Sequence, residues 1–166
     1  MSLMRNIARS YRAPGRVVAA LDAQGVREPQ LLFFLCLACG LIFLSQWPAL
    51  SRAAALDPSI SFEQRLGGAL FGVMFMLPLI LYGVAGLLQL GMRLVSGPVA
   101  GLRVRLALFW ALVAIAPLML VHGGLRGLLG PSVAVQLFGF VVLAAFLYIL
   151  GAGLRSVARL TRENAG

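Results

Sequence analysis

Residues 106–125 read LALFWALVAIAPLMLVHGGL, twenty consecutive positions without a charged side chain. At about 1.5 Å of rise per residue, a helix of that length crosses a hydrocarbon layer of roughly 30 Å. Lipid offers no hydrogen-bond partner to a backbone amide, so an apolar run at that depth closes its bonds internally and becomes a helix. The same signature recurs on either side: residues 29–51, 66–92 and 127–154 are charge-free runs of 23, 27 and 28 residues. The chain is 61% hydrophobic and 11% charged, with a mean hydropathy of +0.96. A soluble domain needs more polar surface than this to cover its core. The sequence therefore predicts an all-α fold, a polytopic transmembrane helical bundle of four spans, with five spans as the alternative. The spans fall at about 30–47, 62–92, 102–122 and 132–154, within a membrane domain of residues 29–155. Residues 1–28 form an amphipathic amino-terminal segment and residues 156–166 a basic tail.

All 14 basic residues are Arg, and the net charge is +9. In a soluble protein such a balance would suggest nucleic acid. Here the Arg residues flank apolar runs, so topology explains them and no nucleic-acid partner is expected. Four spans place 11 Arg on one face (Arg5, Arg9, Arg12, Arg16, Arg27, Arg93, Arg103, Arg105, Arg155, Arg159 and Arg162) and 3 on the other (Arg52, Arg65 and Arg126). The positive-inside bias makes the rich face cytoplasmic, with both termini there. The exclusive use of Arg hints at a bacterial chain, hence an inner-membrane location. The first apolar run follows a long Arg-rich tail and is read as a permanent span, not a cleaved leader.

In the tail, Leu3, Met4, Ile7 and Tyr11 fall on one helical face and Arg5, Arg9 and Arg12 on the other. This pattern predicts an interfacial helix lying on the membrane, its apolar face down and its three Arg on anionic lipid headgroups. Pro14 and Gly15 break that helix, and Gly25 ends a second short one. Trp47 and Pro48 mark the end of the first span, and residues 50–56 are read as a short surface helix. Ser61 and Gln64 have capping-box spacing. Pro78 and Pro117 are expected to kink or tilt the second and third spans. Gly123, Gly124, Gly127 and Gly130-Pro131 read as a flexible loop. Gly68 and Gly72 form a GxxxG pair, followed by Gly83 and Gly86; these four are the predicted helix-packing glycines, because small residues let backbones approach in lipid.

Chemistry is sparse. Cys36 and Cys39 are spaced C-x-x-C but lie within an apolar span, where a thiolate is unfavourable, so packing is the expected role. His122 is the only histidine, placed where the third span meets the outer loop, with no partners for a metal or haem site. Gln46, Gln89 and Gln136 are the polar groups in or near the spans, expected to bond between helices. No ionisable residue lies at depth, which argues against a proton-coupled pump. The five acidic residues are scattered and no nucleotide-binding or hydrolase motif is present. No enzymatic activity, metal or cofactor is expected, although a bound phospholipid would be compatible.

With the spans in place, several segments resemble the Yip (Ypt/Rab-interacting) family in a short bacterial form. These are Ala13-Pro14 in the Arg-rich tail, Gln89-Leu90-Gly91-Met92-Arg93-Leu94 before the Gly97 turn, Arg105-Leu106-Ala107-Leu108-Phe109-Trp110 followed by Pro117-Leu118-Met119-Leu120, and the closing Gly151-Ala152-Gly153-Leu154-Arg155. The family usually has five spans, and the Asp-Leu-Tyr-Gly-Pro motif of its eukaryotic members is absent here. The resemblance implies a non-enzymatic integral membrane protein that organises or assembles other membrane proteins, or binds lipid. The expected partners are anionic membrane lipids, other integral membrane proteins or further copies of the chain. A small channel or lipid-translocating unit, bent at Pro78 and Pro117, is the alternative.

Overall fold

The computed structural model describes residues 3–163; residues 1, 2 and 164–166, the ends of the two predicted tails, lie outside the described residues. The elements are α1 (Leu3–Ser10), α2 (Pro14–Ala23), α3 (Glu28–Leu56), α4 (Phe62–Phe71), a π-turn (Gly72–Met76), α5 (Leu77–Ser96), α6 (Gly101–Leu129) and α7 (Val133–Glu163). Four rods are long and apolar enough to cross a membrane: Glu28–Leu56, Phe62–Val95, Gly101–Leu129 and Val133–Arg162. The all-helical, four-span expectation holds. So do the break at Pro14, which opens α2, and the stop at Gly25, whose φ of +69° suits a residue without a side chain.

Local chemistry explains the ends of the second rod. The Ser61 amide donates to Gln64 Oε1 (3.2 Å) while the Gln64 amide donates to Ser61 Oγ (3.3 Å), so the capping box forms and starts α4. Pro78 cannot donate a backbone hydrogen bond. The rod accommodates it with the π-turn, in which the Leu77 amide donates to the Gly72 carbonyl, and α5 restarts with Pro78 in its first turn. A missing N–H matters least there. Within α5, Gln89 Nε2 donates to the Val99 carbonyl (3.4 Å), tying the helix to the turn that leads into α6.

α6 is the centre of the bundle. Within its most apolar window 67% of residues are buried, against 17% for the α4–α5 rod. Trp110 meets Phe34 of α3 edge-on at 5.3 Å between ring centroids, and Phe109 meets Tyr82 of α5 at the same distance. Two ion pairs fix one end: Asp22 at the close of α2 with Arg103 (3.0 Å), and Glu28 at the start of α3 with Arg105. Gly153 of α7 lies against Ala107. The starts of α3 and α6 and the carboxy-terminal half of α7 therefore share this basic end.

Two helix ends differ from the sequence expectation. α3 does not stop at Trp47-Pro48 but continues to Leu56, and α6 runs through Gly123, Gly124 and Gly127 to Leu129. Both have the same cause. The glycines are the face on which α6 meets α3. A Cβ at Gly123 would overlap the Ser45 carbonyl oxygen and come within 2.6 Å of its carbon, and one at Gly127 would lie 2.9 Å from the Pro48 carbonyl carbon. One turn further along α3, Arg52 Nη1 donates to the carbonyls of Gly127 (3.4 Å) and Leu128 (3.2 Å). The last carbonyls of a helix lack intrahelical partners, and a cation complements the negative end of the dipole. Tertiary contact thus carries each helix past the residues that would end it locally. Gly130, with φ +67°, finally stops α6.

The predicted packing glycines take the opposite role. A Cβ at Gly68, Gly72, Gly83 or Gly86 would meet nothing within 4 Å. They do not join helices within this chain, since their rod borders the bundle with these positions turned outward.

Candidate lipid and partner surfaces

The α1–α2 hairpin docks on α6 and α7 rather than resting its whole apolar face on lipid. Ile7, Ser10, Val17, Val18 and Leu21 are buried, while Leu3 and Met4 remain exposed. The Trp110 indole N–H donates to Ser10 Oγ (2.9 Å), and Ser10 donates onward to the Asn6 carbonyl (2.8 Å). The Tyr11 hydroxyl donates to the Ala114 carbonyl (2.7 Å). Pro117 lies within α6, where its ring crowds the preceding turn and it has no N–H for the Val113 carbonyl. Tyr11 is bonded beside that weakened turn. Small residues allow the approach: a Cβ at Gly15 would lie 3.1 Å from the Ala152 carbonyl, and Gly153 faces both Val18 and Ala107. Burial pushes the Tyr11 phenol upward from its ordinary value. Trp110 and Ala114 lie five and nine residues beyond Arg105, or about 7 and 13 Å along the helix. The hairpin tip therefore reaches the charge-free part of α6.

This docking gathers arginines. Arg5, Arg9 and Arg12, the three predicted headgroup residues, line one cavity of about 590 Å³ together with Arg16. Arg12 and Arg16 also line a second cavity of about 610 Å³ with Arg155 and Arg159, beside Tyr148 and Ala152. Among the described residues, no carboxylate lines either cavity. Asp22 and Glu28 are occupied by Arg103 and Arg105. Guanidinium groups bind phosphate through paired N–H donors, so the arrangement suits an anionic headgroup. Arg16, Arg155 and Arg159 were absent from the sequence-derived set. They join it because Gly15 meets Ala152, a pairing that the small residues at 15, 151, 152 and 153 could have hinted at.

A second surface lies on the α4–α5 rod. Phe71, Phe75, Leu79, Ile80, Leu87 and Leu90 are exposed there, interspersed with the open glycines. The remaining singled-out residues sit apart. Cys36 is exposed and Cys39 buried on α3, and no three His, Cys, Asp or Glu side chains gather among the described residues. His122 is partly buried within α6, its Nε2 3.2 Å from the Val135 carbonyl and its ring stacked on Phe138, rather than at the junction of a span with a loop. No family model, curated protein or solved structure matches this chain, so the Yip-family resemblance rests on the sequence motifs quoted above.

Proposed function

We propose that this is a non-enzymatic, multi-pass protein of the bacterial inner membrane that assembles with other integral membrane proteins, or with itself, through the α4–α5 rod. The observation that carries the reading is the rod's outward glycine face, at Gly68, Gly72, Gly83 and Gly86, on the least buried of the four spans. Lipid chains fit a glycine notch poorly, whereas a second helix closes on it and gains dispersion contact. The α1–α2 hairpin serves the same role at the basic end by holding anionic lipid. Both termini are assigned to the cytoplasm on the 11-to-3 Arg asymmetry. Membership of the Yip family is part of this proposal and is consistent with it. The transport alternative draws less support, because Leu106, Phe109, Trp110, Val113 and Ala116 are packed into the middle of the chain where a path would run.

Affinity purification in mild detergent, with quantitative mass spectrometry, tests the proposal. Wild-type protein is expected to recover one or more membrane proteins, or additional copies of itself, in stoichiometric yield. Gly72→Leu should reduce that recovery at least tenfold while leaving the isolated chain folded. Recovery of the wild-type chain alone, under conditions that preserve other membrane complexes, would contradict it.

A further inference from the structure

At the end opposite the hairpin, a cavity of about 370 Å³ opens between α3 and α6, with Ser45, Gln46, Arg52, His122 and Arg126 among its lining residues. Among the described residues, no acidic side chain lines it. Of the three arginines at this end, Arg65 is neutralised by Asp57 at 2.8 Å. Hydrogen bonds from Ser59, joined by that guanidinium, hold the Asp57 carboxyl below the usual carboxylate range, so Asp57 is a carboxylate at neutral pH. Arg52 and Arg126 have no carboxylate partner among the described residues. Arg52 is pinned against the carbonyls of Gly127 and Leu128, and its Nε is buried without a partner. Two positive charges thus face one cavity, Arg52 half-buried and Arg126 exposed at its mouth. A pair of guanidinium groups without carboxylate partners, facing one space, suits an oxyanion bound through their N–H donors.

The cavity does not stand alone. His122, Arg126 and Pro131 also line an adjoining cavity of about 430 Å³ that runs down α7 along Val135, Gly139, Phe140 and Leu143. That second space is walled mainly by apolar groups and is kept open where Gly139 has no side chain; a Cβ there would lie 3.2 Å from His122 Nε2. A doubly cationic chamber continuous with a groove that ends on Val135, Phe140 and Leu143 matches an amphiphile with its anion at one end. A free anion would use the chamber and leave the groove empty.

We propose that this pair of cavities binds a phospholipid, with its phosphate between Arg52 and Arg126 and one acyl chain along Gly139, Phe140 and Leu143. The assignment is independent of lateral association through the α4–α5 rod. His122 stands at the junction of the two spaces and gives the site its own reporter, since it is the only histidine in the chain.

The experiment uses full-length protein labelled with ¹⁵N-histidine in a neutral detergent, observing the His122 ring resonances by nuclear magnetic resonance. A short-chain phosphatidic acid, dihexanoyl phosphatidate, is titrated in one arm and inorganic phosphate in the other. The lipid is expected to shift the ring signals saturably, and inorganic phosphate at the same concentration to shift them at least tenfold less. Arg126→Gln, at a side chain that makes no hydrogen bond among the described residues, should weaken the lipid response about tenfold, as should Leu143→Trp in the groove. The variant Arg93→Gln, on α5 and outside both lipid surfaces, should leave it unchanged. Equal responses to lipid and to inorganic phosphate would overturn the lipid assignment in favour of a free-anion site. A lipid response unaffected by both Arg126→Gln and Leu143→Trp, or no response at all, would overturn the site.

Discussion

Replacing Gly123 with leucine is expected to be among the most damaging single changes to this protein. The new Cβ would overlap a backbone carbonyl, that of Ser45, and a carbonyl on a packed helix cannot rotate aside as a side-chain tip can. α3 and α6 must separate, and the loss spreads to the Arg52 contacts with Gly127 and Leu128 one turn further on. Overpacking in well-filled interiors costs about 1–3 kcal/mol, and a backbone clash belongs at or above the top of that range. At about 2–4 °C per kcal/mol for a chain of this size, thermal melting in detergent should fall by about 6–12 °C. Gly72→Leu is the matched control, since a Cβ there meets nothing within 4 Å. Its melting temperature should stay close to wild type in the dissociated chain. A Gly123→Leu protein as stable as the control would mean that the α3–α6 crossing is not as described.

The second large effect concerns Trp110. Its side chain is fully buried, packs edge-on against Phe34 and donates its indole N–H to Ser10, one hundred residues away in the chain. Trp110→Ala should cost about 3–5 kcal/mol through the cavity it leaves. Removing Ser10 Oγ alone, in Ser10→Ala, strands a buried donor and should cost about 1–3 kcal/mol. The two residues act as a unit, so Ser10→Ala should add little further loss in a Trp110→Phe background, where no indole N–H remains to be satisfied. Melting curves of the four proteins provide the cycle. Strictly additive losses would mean that the hairpin does not dock on α6.

These two cases mark how far the sequence could be read. The spans were legible because lipid leaves a long apolar run only one structure, and charge-free stretches need no partner to be recognised. The Pro14 break, the Gly25 stop and the Ser61–Gln64 capping box were legible for the same reason: each is local. The glycines were not. Gly68 with Gly72 and Gly123 with Gly127 have identical spacing, yet only the second pair meets another helix of this chain, because α6 is central and the α4–α5 rod is peripheral. That distinction depends on topology, which no local pattern contains. Pro48 failed as a stop signal because Gly123 against Ser45 and Arg52 on the Gly127 carbonyl hold α3 against α6 on both sides of it. The hairpin's three outer Arg were found from their helical spacing, but Arg155 and Arg159 reach the same region only through the fold.

The central claim, association through the α4–α5 rod, is tested most directly by photocrosslinking in intact membranes. A photoreactive phenylalanine derivative is placed at Phe75 or Leu79, both more than 60% exposed, and for comparison at Leu137 on α7, which is 60% exposed. Irradiation is predicted to yield a discrete protein adduct from Phe75 and Leu79, abolished by Gly72→Leu, and only lipid adducts from Leu137. Lipid adducts alone from all three positions would contradict the account.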